Sequence, residues 1–208
     1  MTMLQGADIS TYQGRCDFAA LKPSVSFLYA KATEGANYVD DSYPYNAATA
    51  HLRGIPFGAY HFFRFGEDPT QQAEHFLHAS CFKKGDYLVP MVDVEANDDE
   101  GATMDVADRI AALATFNKIV EAASGKLNII YTMAGFWDDP NTMAGSADFS
   151  GHPLWVANFA NPNGPALPQG WNEWLIWQYN DEGQLPGIEG YVDLDQLNSN
   201  ATLEHLLT

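Results

Sequence analysis

Two acids stand two residues apart at the end of an apolar run. In "VPMVDVEANDDEG", Val89 to Gly101, Asp93 and Glu95 alternate with valines. An apolar run of this length reads as a buried strand, where an unpaired charge is costly. Alternate strand residues share one face, so both carboxyls point the same way, with Cα atoms about 6.5–7 Å apart. Two acids that close in a poorly solvated place repel, and one keeps its proton at a raised pKa. A protonated carboxyl beside an ionised one is the pair that glycoside cleavage needs.

The pair needs a scaffold that brings other strand ends to it. Strand-like runs alternate with helix-like segments: "MLQGADIS", "VSFLYAKATEG", "IPFGAYHFF", "YLVPMVDVE" and "LNIIYT" are the first five strands. Between them "DFAALKP", "SYPYNAATAHLRG", "DPTQQAEHFLHAS" and "TMDVADRIAALATFNKIVEAASG" read as helices, with Asp68 as an N-cap before Pro69 and with Gly54 and Gly125 as stops. Then "LWVANFA", "WLIWQYN" and "YVDLDQL" form three strands separated by loops, and "NATLEHLLT" reads as a short closing helix. This order predicts an α/β fold, a closed parallel barrel with an incomplete helical coat, in one domain over residues 1–208.

In such barrels the functional face is the carboxyl end of the strands. Asp8, Glu34, Tyr60, His61, Phe62, Asp93, Glu95, Tyr131, Trp155, Asn158, Gln178, Tyr179 and Asp193 fall at or near those ends, so acids and aromatics converge on one mouth. The aromatics suit the apolar C–H faces of sugar rings. His61 alternates with Tyr60 and Phe62, so it points away as a structural histidine.

Other patterns exclude functions. Formal net charge is −17, from 10 Lys+Arg against 27 Asp+Glu, so nucleic acid and anionic membranes are not expected partners. Cys16 and Cys81 make neither a disulfide framework nor a metal knuckle and are expected as free thiols. His75 and His78 in "EHFLH" lack the spacing of a zinc helix, and neither "NDDEG" nor "YVDLDQLN" follows a calcium loop, so no metal or other cofactor is expected. "NDDEG" reads as a solvated loop beside the cleft. "MTMLQGADIS" lacks the features of a secretory signal, and no apolar stretch is long enough to cross a bilayer. A monomer made in the cytoplasm is expected, acting after release or export by another route.

"GADISTYQG", "YAKATEG", "GAYHFF", "MVDVE", "LWVANFA" and "WLIWQYNDEGQLPGIEGYVDLDQLN" resemble, in order, the blocks of glycoside hydrolase family 25, the N-acetylmuramidase lysozymes. The resemblance runs from Gln5 to about Asn198. It implies an irregular TIM-like (β/α)5(β)3 barrel, peptidoglycan as substrate, and a catalytic quartet of Asp8, Asp93, Glu95 and Asp193. Glu95 would be the general acid. Asp93 would either attack the sugar or orient its 2-acetamido group for internal attack, and Asp8 and Asp193 would position and tune the pair. Lys31, Tyr60, Phe62, Tyr131, Trp155 and Gln178 are the expected substrate-binding residues. The alternatives are a chitinase-like hydrolase of another N-acetylated glycan and a non-catalytic glycan-binding module.

Overall fold

The computed structural model describes residues 3–82, 85, 87–96 and 103–208. The "NDDEG" loop therefore lies outside the described residues.

Nine strands build one sheet. They are β1 (Gln5–Ile9), β2 (Phe27–Glu34), β3 (Tyr38–Val39), β4 (Phe57–Phe62), β5 (Met91–Asp93), β6 (Ile129–Thr132), β7 (Leu154–Ala157), β8 (Ile176–Gly183) and β9 (Val192–Leu197). Their order is β1-β9-β8-β7-β6-β5-β4-β2-β3, and a further β1–β2 pairing closes eight of them into a barrel. The short β3 is left as a hairpin partner of β2. The helices are α1 (Phe18–Leu21), α2 (Tyr43–Arg53), α3 (Pro69–Ser80), α4 (Val106–Ser124) and α5 (Ala134–Trp137). No α-helix separates β7, β8 and β9.

The barrel is mixed, which corrects the expectation of a parallel one. The pairs from β1 through β2, β4, β5, β6 and β7 to β8 are parallel, whereas β9 runs antiparallel to both β8 and β1. The cause is the connection. Between Gly183 and Val192 there is no crossover helix, and a short link joins only antiparallel neighbours.

Strand alternation sorts side chains into two cores. Outward residues such as Leu28, Ala30, Ala59, Val92, Ile130 and Val156 pack under α2, α3 and α4, against Ala50, Phe76, Leu113 and Phe116. Inward residues Phe27, Tyr29, Met91, Ile129, Trp155, Ile176 and Leu197 fill the barrel. Large rings fit there because their neighbours are small: a Cβ on Gly58 would stand 2.2 Å from the Tyr29 ring, and one on Gly6 2.2 Å from Phe27. Tyr29 and Trp155 meet edge to face, with centroids 4.9 Å apart, and the Tyr29 hydroxyl donates to the Val89 carbonyl at 3.0 Å.

Local signals account for the helix ends. The Asp68 carboxylate accepts the backbone N–H groups of Thr70 (2.8 Å) and Gln71 (2.9 Å), capping α3. Gly54 (φ 61°) and Gly125 (φ 74°) end α2 and α4 in the left-handed region. The final "NATLEHLLT" segment makes a 3₁₀ turn, Leu203–Leu206, and then bridges Leu207 to Leu88. Cys16 and Cys81 are both free thiols. No helix among the described residues is long and apolar enough to cross a membrane.

Candidate active site

The inward positions nearest the mouth carry polar groups in place of the rings below. Asp8 on β1, Lys31 on β2, Tyr60 and Phe62 on β4, Asp93 on β5, Tyr131 on β6, Gln178 on β8 and Asp193 on β9 line one cleft of about 280 Å³. Glu95, two residues past Asp93, lines it too. Strand pairing sets the neighbours: Phe62, Asp93 and Tyr131 stand side by side across β4, β5 and β6, and Asp8 faces Asp193 across β1 and β9. Because β9 is antiparallel, Asp193 reaches the mouth near that strand's beginning, whereas Asp8 and Asp93 sit toward the ends of theirs.

A hydrogen-bonded relay ties three of these together. The Tyr131 hydroxyl donates to Gln178 Oε1 (2.9 Å), and Gln178 Nε2 donates to Asp8 Oδ2 (2.7 Å). Lys31 pairs with Glu34, which also holds Arg64. Burial works against the Glu34 charge, but hydrogen bonds from Lys31 and Arg64 outweigh it and lower the Glu34 pKa. The Lys31 ammonium lies 4.7 Å from the centroid of Phe62 and 5.8 Å from that of Tyr38. Lys31 thus reaches the cleft already paired, and its charge only partly offsets the raised pKa values of Asp93 and Glu95.

Those acids resist ionisation. Burial raises the Asp8 pKa to about 6 against the hydrogen bond from Gln178. Burial, then the charges of Asp8 and Asp181, raise Asp193 to about 8. Asp93 is pushed well above the carboxylate range by burial and by the neighbouring charges of Glu95 and Asp8. Glu95 is raised by burial and by Asp8, with Lys31 opposing. Asp93 Oδ1 is buried with no hydrogen-bond partner among the described residues. A buried acceptor of that kind is expensive until something donates to it.

Trp155 does not line the cleft. It is wholly buried in the barrel, its ring edge-on to Tyr29 and Tyr131, and its indole N–H donates to Asp195 Oδ1 at 3.1 Å. It faces inward as expected, but it lies below the mouth, with Tyr131 beside it. His61 faces outward, stacked on Phe116 (4.8 Å), with its nitrogens bonded to Thr33 (2.7 Å) and Gln72 (3.0 Å). Burial lowers its pKa to about 3, so it is neutral. Asn158 and Tyr179 are absent from the cleft lining.

Several contributors were not singled out in the sequence. Asp195 is completely buried beneath the quartet, paired in register with Gly6 and Gln178, and burial with the charges of Asp8 and Asp193 drives its pKa well up. Its spacing from Asp193 repeats that of Asp93 and Glu95, which is a signal the sequence does contain. Tyr12 and Gln13 from a 3₁₀ turn, Met133 and Phe159 from loops, and Asp181 from an irregular stretch of β8 also line the cleft, where regular alternation does not orient them.

The site can therefore hold a proton beside an ionised carboxylate, offer aromatic faces and satisfy an incoming donor at Asp93. Among the described residues, no group of three or more His, Cys, Asp or Glu is arranged to hold a metal ion.

Comparison with known proteins agrees with this chemistry. Lysozyme M1 of Streptomyces globisporus is 33% identical over 207 residues, spanning 95% of this chain and 69% of that protein. N,O-diacetylmuramidase of a Chalaropsis species is 32% identical over 212 residues, spanning 96% of this chain and 99% of that protein. The crystal structure of a bacterial lysozyme from Streptomyces coelicolor superposes with a TM-score of 0.91 at 29% identity, covering 99% of this chain and 96% of that one. The sequence model for glycosyl hydrolases family 25 matches residues 7–188, which include Asp8, Asp93 and Glu95. The chain belongs to glycosyl hydrolases family 25.

Proposed function

We propose that the chain is a lysozyme, a 1,4-β-N-acetylmuramidase that hydrolyses the bond between N-acetylmuramic acid and N-acetylglucosamine in peptidoglycan. Its architecture reads as the irregular TIM-like (β/α)5(β)3 barrel, with residues 1–208 acting as one catalytic unit on the wall after release or export. The observation that carries the reading is the Asp93–Glu95 pair, Asp93 buried at the end of β5 and Glu95 half-buried two residues beyond it, in a cleft that Asp8 and Asp193 also enter.

Glu95 is the general acid. It has the more exposed carboxyl of the pair, open to the cleft where a leaving oxygen would lie. In the free protein the deeper burial of Asp93, with the neighbouring charge of Glu95, places the larger pKa increase on Asp93. A substrate acetamido N–H donated to the unpartnered Asp93 Oδ1 stabilises the Asp93 carboxylate, and the proton is then retained by Glu95. Asp93 turns the acetamido carbonyl oxygen toward the anomeric carbon. That oxygen attacks as Glu95 protonates the departing glycosidic oxygen, and Glu95 then takes a proton from the water that opens the cyclic intermediate. Two inversions give net retention. Asp8, fixed by Gln178, and Asp193 position the pair and tune its protonation, while Tyr60, Phe62 and Tyr131 contact the sugars and Lys31 borders them.

The test is to digest purified peptidoglycan and identify the new reducing ends. Muramic acid ends are expected. Glucosamine ends, or cleavage of chitin alone, would assign the chain to another acetamidoglycan, and no cleavage by folded protein would make it a binding module.

A further inference from the structure

A second hollow opens on the outer face of β8 and β9, where Trp177 and Gln196 pair in register. It has a volume of about 230 Å³ and is lined by Phe159, Asn161, Pro162, Trp177, Tyr179 and Gln196. Phe159 also lines the catalytic cleft, so the two hollows meet across one ring, and that ring is 45% exposed. Resting on the lysozyme reading, we propose that this shelf is a glycan-binding subsite outside the barrel, which holds an uncharged N-acetylhexosamine of the strand whose scissile bond lies in the cleft.

Four observations support the assignment. The shelf is rigidly built: the Trp177 indole N–H donates to the Asn158 carbonyl (2.7 Å), which fastens the segment carrying Phe159 to β8. The Tyr179 hydroxyl donates to Gln5 Oε1 (2.9 Å), and its ring meets Trp177 edge to face with centroids 6.0 Å apart. The polar groups left over match an acetamido sugar. Asn161 uses its carbonyl oxygen to accept from Asn163, which leaves its amide nitrogen to donate, and the Gln196 amide has no hydrogen-bond partner among the described residues. Among the described residues no charged side chain lines the shelf, unlike the cleft with its row of acids. In a chain of net charge −17, a neutral hollow suits a sugar without a carboxylate better than one bearing it. Finally, the cleft alone is at the small end of ligand sites, and a polymer crossing it must leave along some surface. Phe159 supplies the apolar crossing point, and Gln196 the polar anchor beyond it.

The experiment compares kcat/KM on peptidoglycan strands freed of their stem peptides with kcat/KM on the shortest cleavable oligosaccharide of the same repeat. Gln196→Ala and Asn161→Ala, at residues that line the shelf and not the cleft, are made separately. The second replaces an exposed loop residue, and thermal unfolding checks that both fold. The ratio of long-strand to short-substrate kcat/KM is expected to fall about three- to tenfold in each, the size of one net hydrogen bond. An unchanged ratio, or an equal loss on both substrates, would overturn the shelf and leave the lysozyme reading standing. If the parent protein cleaves neither substrate, the lysozyme reading fails and the shelf with it.

Discussion

At the scale of single residues the chemistry turns on where one proton sits among crowded carboxyls. Asp8, Asp93, Glu95, Asp193 and Asp195 all have raised pKa values, and Lys31, which lines the same cleft, is already paired with Glu34. If Asp93 holds the acetamido group, it never bonds to the sugar. Incubation with a fluorinated glycoside designed to trap a glycosyl–enzyme ester is expected to leave the intact mass unchanged, and an adduct on the peptide containing Asp93 would make Asp93 the nucleophile instead. Trp155 belongs to the barrel filling, so Trp155→Phe should cost about 1–3 kcal/mol of stability by stranding the Asp195 oxygen, with KM little changed. A raised KM with unaltered stability would return Trp155 to the cleft. The meeting of Asp8, Asp93, Glu95 and Asp193 in one cleft was legible because three of them fall at or just past strand ends and two share the i, i+2 spacing. Trp155 was misread because alternation tells inside from outside but not depth along the barrel axis.

At the scale of elements the site depends on strands closing around large rings. Gly58 has to be bare for Tyr29 to lie across β4. Gly58→Ala is expected to lower stability by about 1–3 kcal/mol, read from urea unfolding, because the ring cannot move without displacing Trp155. A neutral result would mean that the barrel interior has slack. The helices were readable from their caps: Asp68, Gly54 and Gly125 stand where the helix ends fall. The direction of β9 was readable in principle from the helix-free link after β8, yet the eight strand patterns look alike whichever way each runs. That direction matters to function, since it puts Asp193 at the mouth and Asp195 one layer beneath.

At the scale of the whole molecule the acids trade stability for function. The folded-state pKa of Asp193 is about 8, well above its ordinary value of 3.8, so near neutral pH the folded protein binds protons that the unfolded chain does not. Stability from that group is complete below about pH 4 and is lost as pH rises through 8. His61, lowered to about 3, acts in the opposite sense but only below about pH 6.5. Between pH 6.5 and 9 the melting temperature should therefore fall, and Asp193→Asn should flatten that slope; a melting temperature that rises over this range would contradict the burial of these acids. The net charge of −17 also sets the response to salt. Wall polymers are anionic, so screening should leave lysis unchanged or faster from about 0.02 to 0.2 M salt, and a steep fall would mean binding through opposite charge. The central claim is that Glu95 delivers the proton that breaks the wall's glycosidic bond, and the most direct measurement is the rate of reducing-end release from peptidoglycan by Glu95→Gln against the parent protein. A fall of about 10²–10⁴ with an undiminished melting temperature is the expected result, and a rate within tenfold of the parent would contradict it.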